Sequence, residues 1–313
     1  MNDRIIFEDV SKFYGEVLGV NRISLSIPPG ITTLVGPNGS GKTTIMNLMT
    51  GLVQPSNGHI SVLGLSPADQ TELFSILGYC TQFDYFPRGL TGWQFVLDSL
   101  LLHGMEEDLA ADLAAQAIER VQLGDAAGRK IAGYSKGMRQ KIRLAQAIAH
   151  HPRVLVLDEP LNGLDPMARA ESIALFQELG RQGMHVLISS HILDEVDRIS
   201  DRVILITGGY LIAEGNIHQV RKEVREKPMQ VLIRCDHPEV LAAKMFTINH
   251  CVEARLHADG KGVFLRTADI DQFYSMLNGI AAEGLVKIDA VAPADDDANA
   301  IYQYLIGTDG SPS

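Results

Sequence analysis

Gly36-Pro37-Asn38-Gly39-Ser40-Gly41-Lys42-Thr43 sets three glycines and a lysine in a G-x-x-x-x-G-K-T pattern, between the β-rich run Ile31 to Val35 and the helical run Ile45 to Met49. Glycines let the backbone curl until successive N–H groups point inward at an anion, and a helix opening at Lys42 adds its positive dipole end. This is the pattern of a nucleoside triphosphate site. In it Lys42 reaches the β and γ phosphates and the Thr43 hydroxyl holds Mg²⁺. Such a loop belongs at the carboxyl end of a strand in an α/β sheet, which constrains how the neighbouring segments fold.

The flanking segments agree. Ile5-Ile6-Phe7, Ile23 to Ile27 and Ile31 to Val35 are short β-rich runs separated by turn residues such as Pro28-Pro29-Gly30. Val154-Leu155-Val156-Leu157 and His185 to Ser189 are nearly continuous apolar runs, as in strands buried on both faces of a parallel sheet. Asp201 to Ile206 and Tyr210 to Ala213 read as a hairpin about Gly208-Gly209. Between these β segments, about Phe83 to Ala132 is helical in pattern. The predicted fold class is therefore α/β, with a helical subdomain at about residues 83–150. A charged run, Arg221 to Pro228, reads as a linker or a solvated helix end. Beyond it, runs at Val231, Cys251 to Leu256 and Val263 read as strands, and Ile270 to Ala281 and Asn299 to Ile306 as helices. They form a small C-terminal α+β domain, 228–313.

Charge and cysteines narrow the partners. A formal net charge of −11 over 313 residues disfavours a nucleic-acid partner and polybasic attachment to anionic lipid. The three cysteines, Cys80, Cys235 and Cys251, offer no disulfide framework or C-x-x-C metal site, which suits a reducing compartment. No apolar stretch approaches the ~20 residues of a membrane span and no secretory leader opens the chain. We therefore expect a soluble chain, with any spanning helices supplied by another protein. Val154 to Leu157 runs into Asp158-Glu159-Pro160. Asp158 is the candidate Mg²⁺ ligand, and Glu159 the group that polarises the attacking water.

Tyr134-Ser135-Lys136-Gly137-Met138-Arg139-Gln140 resembles the signature motif of the ABC ATPase family, with Lys136 where the usual S-G-G has its first glycine. The resemblance runs from about residue 5 to 217 and implies a P-loop NTPase of ABC ATPase type over 1–220. It assigns Gln82 to the Q-loop as a nucleotide and Mg²⁺ contact, and Leu161-Asn162-Gly163-Leu164-Asp165-Pro166 to the D-loop, with Asp165 at a dimer seam. His191 matches the switch histidine and joins Glu159 and Lys42 as a catalytic residue, while Tyr14 matches the aromatic that stacks on adenine. The nucleotide set is completed by Gly36, Pro37, Asn38, Gly39, Ser40, Gly41, Thr43 and Thr44. Ser135 also reads as an N-cap, and Met138, Ile142, Ala145, Ile148 and Ala149 form one apolar face of the helix it opens. In the family that helix completes the site of the other protomer, so the resemblance implies that Ser135, Lys136 and Gly137 serve ATP held across a dimer, expected as a homodimer, with a heterodimer with a related subunit as the alternative.

The function implied is ATP hydrolysis with Mg²⁺, driving transport through a separately encoded permease at the cytoplasmic face of the inner membrane. The variant signature and the trailing domain are similar to ATPases of ABC-2 type exporters. A soluble ABC ATPase of translation or DNA repair is the alternative. Against it stand a single ATPase unit, no heptad run and no cysteine cluster. The aromatics Tyr79, Phe83, Tyr85, Phe86, Trp93 and Phe95 read equally as a permease-facing patch or as the core of the helical insert. His150, His151 and Asp295-Asp296-Asp297 read as structural.

Overall fold

The computed structural model describes residues 3–82, 85–190, 196, 198–200, 202–216, 229–247, 251, 253–257, 259–267 and 270–293. His191, Phe83, the 221–228 run, Asp295 to Asp297 and the 299–306 segment lie outside the described residues. The chain divides into two compact units, Met1–Ile217 and His218–Ser313.

The first unit is built on a six-stranded sheet of order β5-β6-β7-β3-β8-β9. Its strands are β3 (Gly30–Val35), β5 (Leu77–Cys80), β6 (Val154–Leu157), β7 (His185–Ser190), β8 (Arg202–Thr207) and β9 (Tyr210–Asn216). All neighbours run parallel except β9, which folds back on β8 through the Gly208-Gly209 turn. β6 and β7 are buried at every position, which suits the unbroken apolar run of β6 and the Val186-Leu187-Ile188 centre of β7 in strands covered on both faces. A second, antiparallel layer has the order β2-β1-β4, from β1 (Ile5–Tyr14), β2 (Val17–Ile27) and β4 (Asn57–Val62). The helix α1 (Lys42–Met49) packs into one core with both layers. Its Ile45, Met46, Leu48 and Met49 are all buried, among Ile5, Phe7 and Val20 of the small layer and Leu34, Val156 and Ile204 of the large one. Apolar residues around more than one face of α1 suit a sandwiched helix, and each contributes roughly 1.5–3 kcal/mol of burial.

A second core lies under the helices α3 (Gly92–Leu102), α4 (Glu107–Arg120), α5 (Lys136–Ile148) and α6 (Pro166–Arg181), which follow the short α2 (Gln70–Ile76). α3 opens with a capping box between Thr91 and Gln94. α4 buries Ala110, Ala114, Ala117 and Ile118, a helical stripe of mostly small residues that allows close approach. No described helix is long and apolar enough to cross a membrane.

The second unit runs β10 (Met229–Cys235), α7 (Pro238–Thr247), β11 (Glu253–Leu256), β12 (Gly262–Thr267), α8 (Ile270–Ala282) and β13 (Ile288–Pro293). Its antiparallel sheet has the order β11-β12-β10-β13, which with this β-α-β-β-α-β succession is a ferredoxin-like split βαβ. Alternation sets its core: Val231, Ile233, Cys235, Val263 and Leu265 are buried with Leu241, Met245, Phe273 and Leu277. From the sequence, no element is expected at β4, β5, α2, α6, α7 or β13. β5 spans four residues including a glycine, and β13 carries mostly small side chains, so neither gives a strong periodic signal.

Candidate active site

The loop leaves β3 at Val35 and enters α1 at Lys42. Gly41 takes φ 109°, and a Cβ there would lie 2.7 Å from the Gly19 carbonyl oxygen, so only glycine turns the chain into the helix at this point. The Lys42 ammonium curls back and donates to the carbonyls of Gly36 at 2.6 Å and Pro37 at 3.0 Å. Burial pulls its pKa down, while the charges of Glu159 and Asp158 act in the opposite sense. Ser40 Oγ is buried in the same loop with no hydrogen-bond partner.

Behind the loop, β6 delivers Asp158 between the ends of β5 and β7. Its backbone N–H donates to Cys80 O at 2.9 Å, and the residue is 3% exposed. Asp158 Oδ2 accepts from Thr43 Oγ1 at 3.0 Å and Oδ1 from Ser189 Oγ at 2.7 Å. Ser189 Oγ in turn accepts from the backbone N–H of Glu159 at 2.7 Å. Glu159 stands in the left-handed region at φ 49°. Its Oε2 accepts from Gln82 Nε2 at 2.8 Å and from Asn162 Nδ2 at 3.2 Å. The fold thus brings Lys42, Thr43, Asp158, Glu159 and Gln82 together from three distant stretches. Thr43 and Asp158 present hard oxygen donors of the kind Mg²⁺ takes, whereas Gln82 turns its nitrogen to Glu159. Sequence reading gave Ser189 and Asn162 no role of their own. No local pattern marks them, because their partners become neighbours only through strand order and a turn.

Tyr14 ends β1 and is 44% exposed. A Cβ on Gly19 would lie 2.9 Å from the Tyr14 ring and 3.1 Å from the Thr44 methyl, so this open aromatic adjoins the start of α1.

Ser135, Lys136, Gly137 and Asp165 gather elsewhere. Ser135 caps α5 by accepting from Met138 N at 3.2 Å, and Asp165 caps α6 by accepting from Met167 N and Ala168 N. Lys136 lies across Gly163, where an added Cβ would meet its Nζ at 2.2 Å, and Leu164 is the nearest neighbour of a Cβ on Gly137. The start of α5 therefore packs on the 161–165 stretch.

The crowded aromatics divide. Tyr79 donates to Asn47 Oδ1 at 3.1 Å, Phe86 meets Phe95 edge-on at 5.1 Å beneath the Arg143 guanidinium, and Trp93 packs on the helical core. Tyr85 alone among the described members stands out, 80% exposed. His150 is buried, stacked on His103 at 4.6 Å with Nε2 3.1 Å from Leu77 O. Burial, helped by His103, lowers its pKa to about 4. The three cysteines are free and buried.

A parallel sheet feeding a phosphate loop, a three-stranded antiparallel layer over its helix, and a helical insertion between β5 and β6 define a P-loop ATPase of the ATP-binding cassette class. The family model described as ABC transporter matches residues 20–162. The chain is 30% identical over 307 residues to the bacitracin transport ATP-binding protein of Enterococcus faecalis, covering 97% of this chain and 96% of that one. It is 37% identical over 216 residues to the Nod factor export ATP-binding protein I of Burkholderia orbicola, covering 68% and 71%. Among solved structures, CbiO1 from Clostridium perfringens, part of an ABC transporter complex, superposes with a TM-score of 0.63 at 26% identity, over 71% of this chain and 92% of that chain. The chain belongs to the ABC transporter family as an ATP-binding, ATP-hydrolysing subunit.

Proposed function

We propose that this chain powers an exporter: two copies close over two ATP molecules, with Mg²⁺, and drive a separately encoded permease from the cytoplasmic face of the membrane. The observation that carries the reading is the unbroken relay Thr43–Asp158–Ser189–Glu159–Gln82 set against the separate cluster of Ser135, Lys136, Gly137 and Asp165. The relay is equipped for hydrolysis, and the cluster has its helix N-terminus available for a second copy's phosphates. Transport is favoured by the similarity to a bacitracin transport protein over 97% of this chain, and the outward direction by the similarity to a Nod factor export protein. The exposed Tyr85 suits a permease contact.

In this reading the loop N–H groups from Gly36 to Thr44 receive the phosphates, and Lys42 exchanges its two carbonyls for β- and γ-phosphate oxygens. Tyr14 stacks on the adenine. Thr43 and Asp158 would hold Mg²⁺, with Gln82 as a further contact, and the ion would offset charge on the phosphates. Glu159 takes a proton from water as its oxygen attacks the γ-phosphorus in line, and the bond to the bridging oxygen breaks to leave ADP and phosphate. His191 completes the contact to the γ-phosphate. Ser135 and Gly137 of the other copy cover that phosphate, and Asp165 lies at the seam. Glu159→Gln tests the assignment. We expect ATP to bind and hold a closed dimer on size-exclusion chromatography, while turnover falls by about 100-fold or more. Normal turnover in this variant would refute Glu159 as the base.

A further inference from the structure

Asn162 lies where the two clusters meet. The Asn162 backbone N–H donates to Glu159 O at 3.2 Å and closes a turn over Pro160 and Leu161, with Leu161 buried beneath it. That turn, together with the left-handed backbone at Glu159, folds the Asn162 side chain back over the residue three positions earlier. Its Nδ2 then reaches Glu159 Oε2 at 3.2 Å, the same oxygen that accepts from Gln82. The amide has one sensible orientation here, since its oxygen would repel the carboxylate while its NH₂ donates to it.

We propose that Asn162 is a positioning residue for hydrolysis: with Gln82 it pins one oxygen of the Glu159 carboxylate and so sets how the carboxylate meets the attacking water. This rests on Glu159 acting as the base. A general base contributes only when its oxygen is held within hydrogen-bond reach of the water's proton, and a glutamate side chain has three rotatable bonds to restrain. Two amide donors on one oxygen remove most of that freedom. Gln82 comes from the loop after β5 and Asn162 from the turn after β6, so the carboxylate is held from two directions. The next residue, Gly163, lies under Lys136 at the start of α5.

The test uses the full chain with ATP and Mg²⁺, and compares Asn162→Ala and Asn162→Asp alone and in the Glu159→Gln background. Loss of a hydrogen bond to a charged group corresponds to about a tenfold fall in kcat for Asn162→Ala, with KM for ATP little changed. Asn162→Asp keeps the shape but sets a like charge against Glu159. It should fall further in kcat, again with KM for ATP little changed. In the Glu159→Gln background neither substitution should lower the residual rate further. A merely structural role would instead lower thermal stability and ATP affinity, and its losses would persist in the Glu159→Gln background. The inference is overturned if kcat is unchanged or rises in either variant, or if the losses persist undiminished with Gln at 159. Normal turnover of Glu159→Gln by itself sinks the base assignment and the inference together; a silent Asn162 beside an inactive Glu159→Gln sinks the inference alone.

Discussion

Ser189→Ala removes one oxygen and should disable two functional residues at once. The hydroxyl donates to the buried Asp158 carboxylate at 2.7 Å and accepts from the Glu159 backbone N–H at 2.7 Å. A hydrogen bond to a charged group is worth about 1.5–3 kcal/mol, and an ordinary one about 1 kcal/mol. Water has little access to repair the loss, because Ser189 and Asp158 are both buried. The expected destabilisation is about 3 kcal/mol. For a unit of this size that lowers Tm by roughly 6–12 °C in scanning calorimetry. Ser172→Ala is the control. Ser172 is also buried, yet its hydroxyl only donates to Ala168 O at 2.8 Å within α6, a local back-bond that contributes little to a helix. Its loss should cost less than about 1 kcal/mol and leave turnover near the parent's. Ser189→Ala should in addition lower kcat, because the left-handed turn at Glu159 loses its backbone anchor. If the two serine variants melt within about 0.5 kcal/mol of each other, the relay is not a stabilising element and the reasoning fails.

Two further outcomes are expected. Gly163 has φ 73° with Lys136 across it, so Gly163→Ala should cost about 1–2 kcal/mol. Adding Lys136→Ala should recover little of this, because the flexible lysine can move whereas the backbone strain remains; full recovery in chemical denaturation would show that the contact, not the backbone, demands glycine. His150 is held neutral by burial, with a pKa of about 4 against an ordinary 6.5. The unfolded chain therefore binds a proton at this residue between those values and the folded chain does not. Stability is fully present above about pH 6.5 and falls by up to about 3 kcal/mol as pH drops toward 4. Melting curves of His150→Gln should lack this part of the slope, and an unchanged slope would remove His150 as its source.

The legible parts of this chain were those whose cause is local. Gly36 to Thr43 could be read because the loop's needs, backbone curvature and a lysine one step into a helix, are met within eight residues. β6 and β7 announced themselves through apolar runs that only a doubly covered strand can use, and Gly208-Gly209 through the turn it must make. The aromatics between Tyr79 and Phe95 look alike in sequence, and three-dimensional packing alone separates Phe86, held between Phe95 and Arg143, from the exposed Tyr85. Ser189 and Asn162 were illegible for a related reason. A serine at the end of a strand and an asparagine in a glycine-containing turn are common, and each gains chemical meaning only from a carboxylate placed beside it.

Strand order is what creates that proximity. Thr43 and Asp158 lie 115 residues apart, yet β6 and β3 flank β7, so the segment after β6, the end of β7 and the loop after β3 open side by side at the carboxyl edge of one sheet. Inserting the helices between β5 and β6 leaves this edge intact while carrying Ser135 to the head of α5, where the next residues, Lys136 and Gly137, pack on Gly163 and Leu164. A chain built this way has one assembled hydrolytic relay and one helix N-terminus outside it. In the proposed function that N-terminus serves the phosphate of a second copy, and the topology is compatible with this because it leaves the head of α5 exposed beside the 161–165 stretch.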